Sequence, residues 1–323
     1  MRLYTILILL LSLLAACGPA QESKTEASGD APAPFLVSSG TAKRIEAFPS
    51  DYIGERQVDI WLPASYDGKT PHAVLYMHDG AMLFDTTHTW NHQEWQIDEI
   101  LGRLIAENKI RPTLVVGIYN DGPGRHTEYF PQKPFYQLPV DYRDSILALI
   151  EADTALADRP EPLRADRYLN FLTRELKPWI DSAFVTAADR DNTFISGASM
   201  GGLISWYAIC EYPEVFGGAA CISTHFEGFY PHPNNPNPLA FQNYFRDNMP
   251  DPATHKLYFG FGTETLDATY APYHAMMDST MAKAGYTAAN QQTRMFEGDD
   301  HSEASWQRRF HIPAEFLLKK EKN

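Results

Sequence analysis

Hydrophobic and polar positions switch between two periods along the chain. Val58-Asp59-Ile60-Trp61-Leu62 alternates and predicts an early strand. Ala73-Val74-Leu75-Tyr76-Met77 is almost continuously apolar, as in a strand covered on both faces. From Glu94 to Glu107, the residues Ile97, Ile100, Leu101, Leu104 and Ile105 recur at helical spacing. Thr113 to Ile118 predicts a buried strand, followed by a long loop with Gly122, Pro123, Gly124, Pro131 and Pro134. Asp166 to Asp181 reads as a helix with Tyr168, Phe171, Leu172, Leu176 and Trp179 on one stripe. Further strands are expected at Thr193–Ser196, Gly218–Ser223, Lys256–Phe261 and Gln292–Phe296. Helices are expected at Leu203–Ile209, Tyr270–Ala284 and Ser302–Lys320, the last interrupted or kinked by Pro313, and a loop at Pro231–Pro238. Alternation of this kind predicts an α/β fold: a mostly parallel central sheet of about eight strands with helices on both faces.

The two ends of the pattern differ from its middle. Leu3 to Leu14 is an apolar run after Met1-Arg2, too short to span a bilayer as a mature helix. It ends in Leu14-Ala15-Ala16-Cys17, which resembles the lipobox of bacterial lipoproteins; an ordinary secretory signal is the alternative. Residues 1–16 are therefore expected to be removed and Cys17 to carry the lipid, which would be the chain's one link to a membrane. Gly18 follows where an aspartate is absent, which in such lipoproteins points to the outer membrane, facing periplasm or exterior. Residues 17–34 are small and polar and read as a flexible tether. Residues 35–323 are expected to form a single domain. The net charge of −14 argues against a nucleic-acid partner, whose phosphates need a basic surface. Cys210 and Cys221 lie in apolar surroundings, and the sequence leaves open whether they are free or joined. The oligomeric state is not legible.

Candidate chemistry centres on Gly197-Ala198-Ser199-Met200-Gly201-Gly202, between a strand and a helix pattern. A serine on a sharp strand-to-helix turn is the nucleophile elbow of the α/β-hydrolase fold. Gly197 and Gly201 permit the turn, and the helix N-terminus behind Ser199 offers N–H groups to a developing oxyanion.

A serine hydroxyl needs a base, and the base needs an acid to hold its tautomer. The order Ser, acid, His in this fold leaves His274, His301 and His311 of the eleven histidines. His274 and His311 fall in predicted helices, whereas His301 lies in Gly298-Asp299-Asp300-His301-Ser302, a loop after the last strand. The acid is expected in Gly262-Thr263-Glu264-Thr265-Leu266-Asp267, with Asp267 preferred and Glu264 second; Asp267 as an N-cap of the following helix is the alternative. Asp299 and Asp300 read as solvated loop charges. Oxyanion donors are expected from the amides of Met200 and Ala81, with Met82 the neighbour a one-residue shift would implicate. Asp79 is a charge near the site or a turn residue, and His78 reads as structural.

With these pieces in place the chain resembles the esterase family that contains esterase D, enterochelin, feruloyl and acetylxylan esterases and the mycolyltransferases. The likeness runs through Tyr76–Asp85, Glu94–Glu99, Val115–Asn120, Arg125–Pro131, Glu175–Asp181, Ser196–Leu203, Gly262–Asp267 and His301–Glu303, and covers roughly residues 45–320. It implies the α/β-hydrolase fold and acyl chemistry without choosing a substrate. One departure is the long segment 132–164, a lid or a decoration, in which Asp141–Asp158 can form a helix.

The expected function is a serine carboxylic-ester hydrolase acting through an acyl-enzyme on a carbohydrate-linked or other small-molecule ester. Transfer of the acyl group to a sugar or alcohol, and glycan binding by an inactive lipoprotein, are the alternatives. Trp90, Arg125, Glu128, Tyr129 and His225 are the candidate substrate contacts, with Phe130, Phe226, Phe229 and Tyr230 nearby and Trp95 and Trp206 read as core. Arg125 is free for a carboxylate or sugar hydroxyl, or paired with Glu128. No histidine pair at metal-ligand spacing and no Gly-rich phosphate loop appear, so no metal or cofactor is expected.

Overall fold

A computed structural model describes residues 35–87, 89–156, 161–229 and 234–320. The signal segment, Cys17 and the tether lie outside these residues, as does Tyr230. Eight strands form one sheet in the order β1-β2-β4-β3-β5-β6-β7-β8. They are β1 (Thr41–Phe48), β2 (Arg56–Leu62), β3 (Ala73–His78), β4 (Thr113–Ile118), β5 (Thr193–Ala198), β6 (Gly218–Ile222), β7 (Lys256–Gly262) and β8 (Gln291–Phe296). β2 runs antiparallel to both β1 and β4, and every later pairing is parallel. This is the α/β-hydrolase fold. β3, β4, β5 and β6 are buried along their whole length, which is why they read as unbroken apolar runs.

The helices are α1 (Ile97–Ala106), α2 (Arg125–Tyr129), α3 (Gln132–Tyr136), α4 (Val140–Ala152), α5 (Ala165–Asn170), α6 (Lys177–Ala183), α7 (Met200–Glu211), α8 (Asn237–Asn248), α9 (Ala271–Lys283), α10 (Glu303–Arg309) and α11 (His311–Leu317). They cover both faces. On one face Ile97, Leu101 and Leu104 of α1, Trp306 of α10 and Ala314 and Leu317 of α11 pack against Leu75, Met77, Val115 and Tyr258. On the other, α5 to α9 contribute Tyr168, Ile180, Trp206, Phe241 and Met277. α7 is buried all round except its last residue, Glu211.

Several elements depart from the sequence pattern. β1 is a mostly exposed or half-buried edge strand, TAKRIEAF, with no clean alternation to announce it. The expected long loop after β4 holds the short helices α2 and α3. The helix at 165–183 contains a π-helical stretch, Phe171–Leu176, which rotates the next turn and leaves Trp179 38% exposed rather than on the buried stripe. The helix at 303–317 breaks at Phe310, three residues before Pro313, whose ring would meet the carbonyl of Arg309 in a continuous helix. α8 begins at Asn237, inside the expected Pro-rich loop. The segment 132–164 forms α3 and α4, with Ile146 and Ile150 buried and Val140 and Leu149 exposed. Cys210 and Cys221 are buried free thiols.

Candidate active site

The chain order reverses beside β3: β4 lies on one side of it and β5 on the other. Open α/β sheets build their sites at the carboxyl ends of strands at such a switch point. Six strands, β3 to β8, contribute there. Ser199 follows β5 at φ 59 and ψ −121, a conformation outside the ordinary regions for a residue with a Cβ. Neighbouring glycines make this turn possible: a Cβ on Gly197 would lie 2.7 Å from the Gly201 backbone. Ile222 of β6 accepts the Ser199 N–H at 2.9 Å, and the Ser199 carbonyl accepts from His225 at 3.3 Å.

His301 follows β8 and Asp267 follows β7, in a short 3₁₀ turn (Thr265–Thr269). His301 Nδ1 lies 2.6 Å from Asp267 Oδ1, so two residues 34 apart in sequence meet at one rim. Asp267 Oδ2 accepts from Ser223 Oγ and from the Gly262 amide, both at 2.6 Å. Burial alone would push the Asp267 carboxyl up. Hydrogen bonds from His301, Ser223 and Gly262 outweigh this and hold it below the usual carboxylate range. An ionised Asp267 requires the proton of neutral His301 on Nδ1, which leaves Nε2 free to accept one. The imidazole stands edge-on between Trp306 and Tyr270, with ring centroids 5.1 and 6.0 Å away. Its backbone N–H is held by Thr265 Oγ1 at 2.9 Å.

The geometry separates the two candidate acids. Glu264 is exposed, whereas Asp267 is buried against His301. Nor does Asp267 cap α9, whose N-cap position is Tyr270. Asp299 and Asp300 are not free loop charges: Asp299 pairs with Arg308 and Arg309, and Asp300 accepts from Ser302 and Ser305. His274 and His311 sit in α9 and α11.

Two backbone segments present amides toward this rim. Met200 opens α7, whose first N–H groups have no intrahelical partner. Ala81 lies in the 3₁₀ turn Gly80–Met82 after β3. Met82 N–H is committed to the Asp79 carbonyl at 2.9 Å, which leaves Ala81 as the better-placed donor of the two. Asp79 adopts a left-handed conformation at φ 57 and its carboxylate is held by Arg125 and by Asn120 Nδ2, each at 2.8 Å. A Cβ on Gly201 would lie 3.2 Å from Asp79 Oδ2, so this loop packs directly on the start of α7.

The expected substrate contacts fall in three groups. His225 lies beside the elbow, with Nδ1 2.7 Å from Tyr270 Oη; burial, with repulsion from His126 and His301, lowers its pKa to about 3. Arg125 is partly exposed and bound to Asp79, not to Glu128. Trp90 is 82% exposed, on the loop between the Gly80–Met82 turn and α1. Glu128 and Tyr129 belong to the interior instead: Glu128 pairs with Arg56 at 2.9 Å and with Arg164, and Tyr129 lies wholly buried beneath Arg125. Trp95, Trp206 and Phe226 are core, and His78 is buried against Tyr168. Sequence reasoning missed Ser223 and Arg309, which flank the far oxygen of Asp267, and Trp306, which donates to Ser223. Ser223 ends an expected strand, and nothing local marks the other two.

A family model described as "Putative esterase" matches residues 51–314, and the chain belongs to that family. It is an ester hydrolase of the α/β-hydrolase fold. The chain is 25% identical over 216 residues to an uncharacterized protein, YbbA, of Bacillus subtilis, covering 65% of this chain and 69% of that one. It is 26% identical over 193 residues to an endo-1,4-beta-xylanase/feruloyl esterase of Xylanibacter ruminicola, covering 56% of this chain but 21% of that longer protein. Among solved structures it resembles the feruloyl esterase module of Clostridium thermocellum complexed with sinapinate. That likeness has a TM-score of 0.59 at 15% identity and covers 92% of this chain and 95% of the module.

Proposed function

We propose that the protein is a serine ester hydrolase working through a covalent acyl-enzyme. Ser199 Oγ attacks the ester carbonyl and His301 Nε2 takes its proton. Asp267 holds the imidazole and stabilises its cation. The amides of Met200 and Ala81 receive the oxyanion, and removal of one such donor costs about a hundredfold to a thousandfold in turnover. His301 then returns the proton to the leaving alcohol and activates the water that frees the acid. The observation that carries the reading is the 2.6 Å contact between His301 and Asp267 at the rim where the strained Ser199 turn emerges.

The substrate is inferred to be a small-molecule ester, linked to carbohydrate or an aromatic acid. Similarity to a xylanase/feruloyl esterase and to a module complexed with sinapinate supports this. Arg125, His225 and Trp90 are the side chains proposed to meet it. We further infer export and anchoring through a lipid on Cys17, supported by the Leu3–Leu14 run and the residues before Cys17. Cys17→Ser should then move the protein from membrane to soluble fractions, and unchanged partition would refute the anchor. The function itself is tested by hydrolysis of a short-chain aryl ester. Ser199→Ala should lose turnover while keeping its fold, and equal rates would remove the proposal. Acetyl, feruloyl and siderophore esters then rank the substrates.

A further inference from the structure

Behind the Asp267 carboxylate sits a buried cation. Arg309, in the last turn of α10, places Nη2 3.7 Å from Asp267 Oδ2 and 2.9 Å from Ser223 Oγ. Trp306 Nε1, one turn earlier, also donates to Ser223 Oγ at 2.9 Å. A hydroxyl has one proton and two lone pairs, and tryptophan and arginine can only donate. The Ser223 proton is therefore directed to Asp267 Oδ2, at 2.6 Å. Ser223 is held in this role at φ 43, an unusual conformation for a residue with a Cβ.

The same guanidinium ties two loops together. Its Nη1 reaches Asp299 Oδ2 at 3.1 Å, and the Asp299 carbonyl accepts the N–H groups of Thr263 and Glu264 at 2.9 and 3.0 Å. Asp299 belongs to the loop that carries His301, and Thr263 and Glu264 to the loop that carries Asp267. The loops approach so closely that a Cβ on Gly262 would lie 2.1 Å from the Asp299 carbonyl oxygen.

We propose that Arg309, acting through Ser223, is a positioning residue that fixes the Asp267 carboxylate and shares its charge, so that less of that charge reaches His301. The inference rests on the triad reading above. A carboxylate facing only the imidazole would stabilise the imidazolium strongly. With Ser223 and Arg309 on its other oxygen, less of its charge is available to His301, and the Arg309 cation itself disfavours a second cation nearby.

The surrounding charges do not duplicate this effect. Arg309 faces Asp267 and Tyr258 from β7 and the segment after it, Asp299 after β8, Ser223 after β6, and the Phe296 ring at 4.8 Å. His301 faces Asp267, Tyr270, Trp306 and His225, with Asp300 and Glu303 beside it in the chain. Asp300 is bound by Ser302 and Ser305, and Glu303 by Asn91.

The test is the pH profile of kcat/KM for a short-chain aryl ester, measured on the full chain from about pH 5 to 9. Arg309→Met should move the acid limb upward by about half a unit to one unit. Arg309→Lys, which keeps the charge, should leave the limb near its wild-type position. A merely structural role would lower the rate at every pH and leave the limb where it is; that result overturns the proposal, as does an equal shift in both variants. Should Arg309→Met fail to fold, Ser223→Ala carries the test, with the same upward shift expected and an unmoved limb contradicting it. Ser199→Ala keeps the two levels apart. If it is inactive and the acid limb ignores Arg309, only this inference falls. If it is as active as wild type, the triad reading falls and takes this one with it.

Discussion

Arg125 grips Asp79 through both carboxylate oxygens, with Nε 2.7 Å from Oδ1 and Nη2 2.8 Å from Oδ2. Asp79 precedes the Gly80-Ala81 amides and packs on the first turn of α7, so its charge sits close to the two amides proposed to receive the oxyanion, those of Ala81 and Met200. Paired, that charge is balanced, and the Asp79 carboxyl is held below its usual range against its own burial. Unpaired, it would oppose a developing oxyanion.

Arg125→Ala is therefore expected to lower kcat for a short-chain aryl ester by roughly tenfold to a hundredfold. Adding Asp79→Asn should restore part of the loss, since the double variant carries neither charge. Steady-state kinetics of the three proteins decide it. A double variant as slow as or slower than Arg125→Ala would show that the pair matters for another reason.

His274 is buried and stacked on Phe261, centroids 4.3 Å apart and planes 4° apart, and neither ring nitrogen has a hydrogen-bond partner. Burial lowers its pKa to about 3, and that of His78 likewise to about 3. Such groups are neutral when folded but bind protons when unfolded below about pH 6.5. Their stabilisation is complete above that pH and is lost as pH falls toward 3, at up to about 1.4 kcal/mol per pH unit for each. His274→Phe should flatten the fall of Tm between about pH 6.5 and 4. A slope identical to wild type would mean that His274 is protonated in the folded protein.

The first described residues are fastened by carboxylates. Leu36 N–H donates to Asp85 at 2.9 Å and Ser38 N–H to Asp98 at 2.5 Å. Burial, with the adjacent Glu99, raises the Asp98 pKa to about 7; burial, Glu99 and Asp85 raise that of Glu94 also to about 7. The sign is opposite to that of the histidines: stability is full near pH 4 and is lost as pH rises through about 7. Asp98→Asn should reduce the loss of Tm between about pH 5 and 8. Limited proteolysis near residues 35–39 should increase above about pH 7 in the wild type and less in the variant. No pH dependence in either would contradict the raised pKa.

The contrast between Arg125 and Ser199 shows what sequence alone can carry. The Ser199 elbow is local: strand, glycines and helix lie close together along the chain, so their pattern is readable. Asp267 and His301 were legible because each follows a strand strong enough to recognise. Arg125 and Glu128 are three residues apart in sequence, yet Arg125 binds Asp79, 46 residues away, and Glu128 binds Arg56, 72 residues away. Tertiary packing chose these partners, and no local spacing encodes them. The same holds for Arg309, whose contacts with Ser223 and Asp267 exist only once three strand ends converge. β1 escaped notice because an edge strand has one exposed flank and keeps polar residues such as Lys43 and Glu46 there. α8 carries Phe241, Tyr244 and Phe245 at helical spacing, and the prolines just before it obscured the signal.

Catalysis by Ser199 requires a covalent bond at one hydroxyl. The protein should be mixed with an aryl acetate, quenched within the first turnovers, digested and its peptides weighed. One acetyl group is expected on the peptide containing Ser199, with none in Ser199→Ala. Turnover without that modification, or an acetylated peptide in the alanine variant with turnover intact, would contradict it.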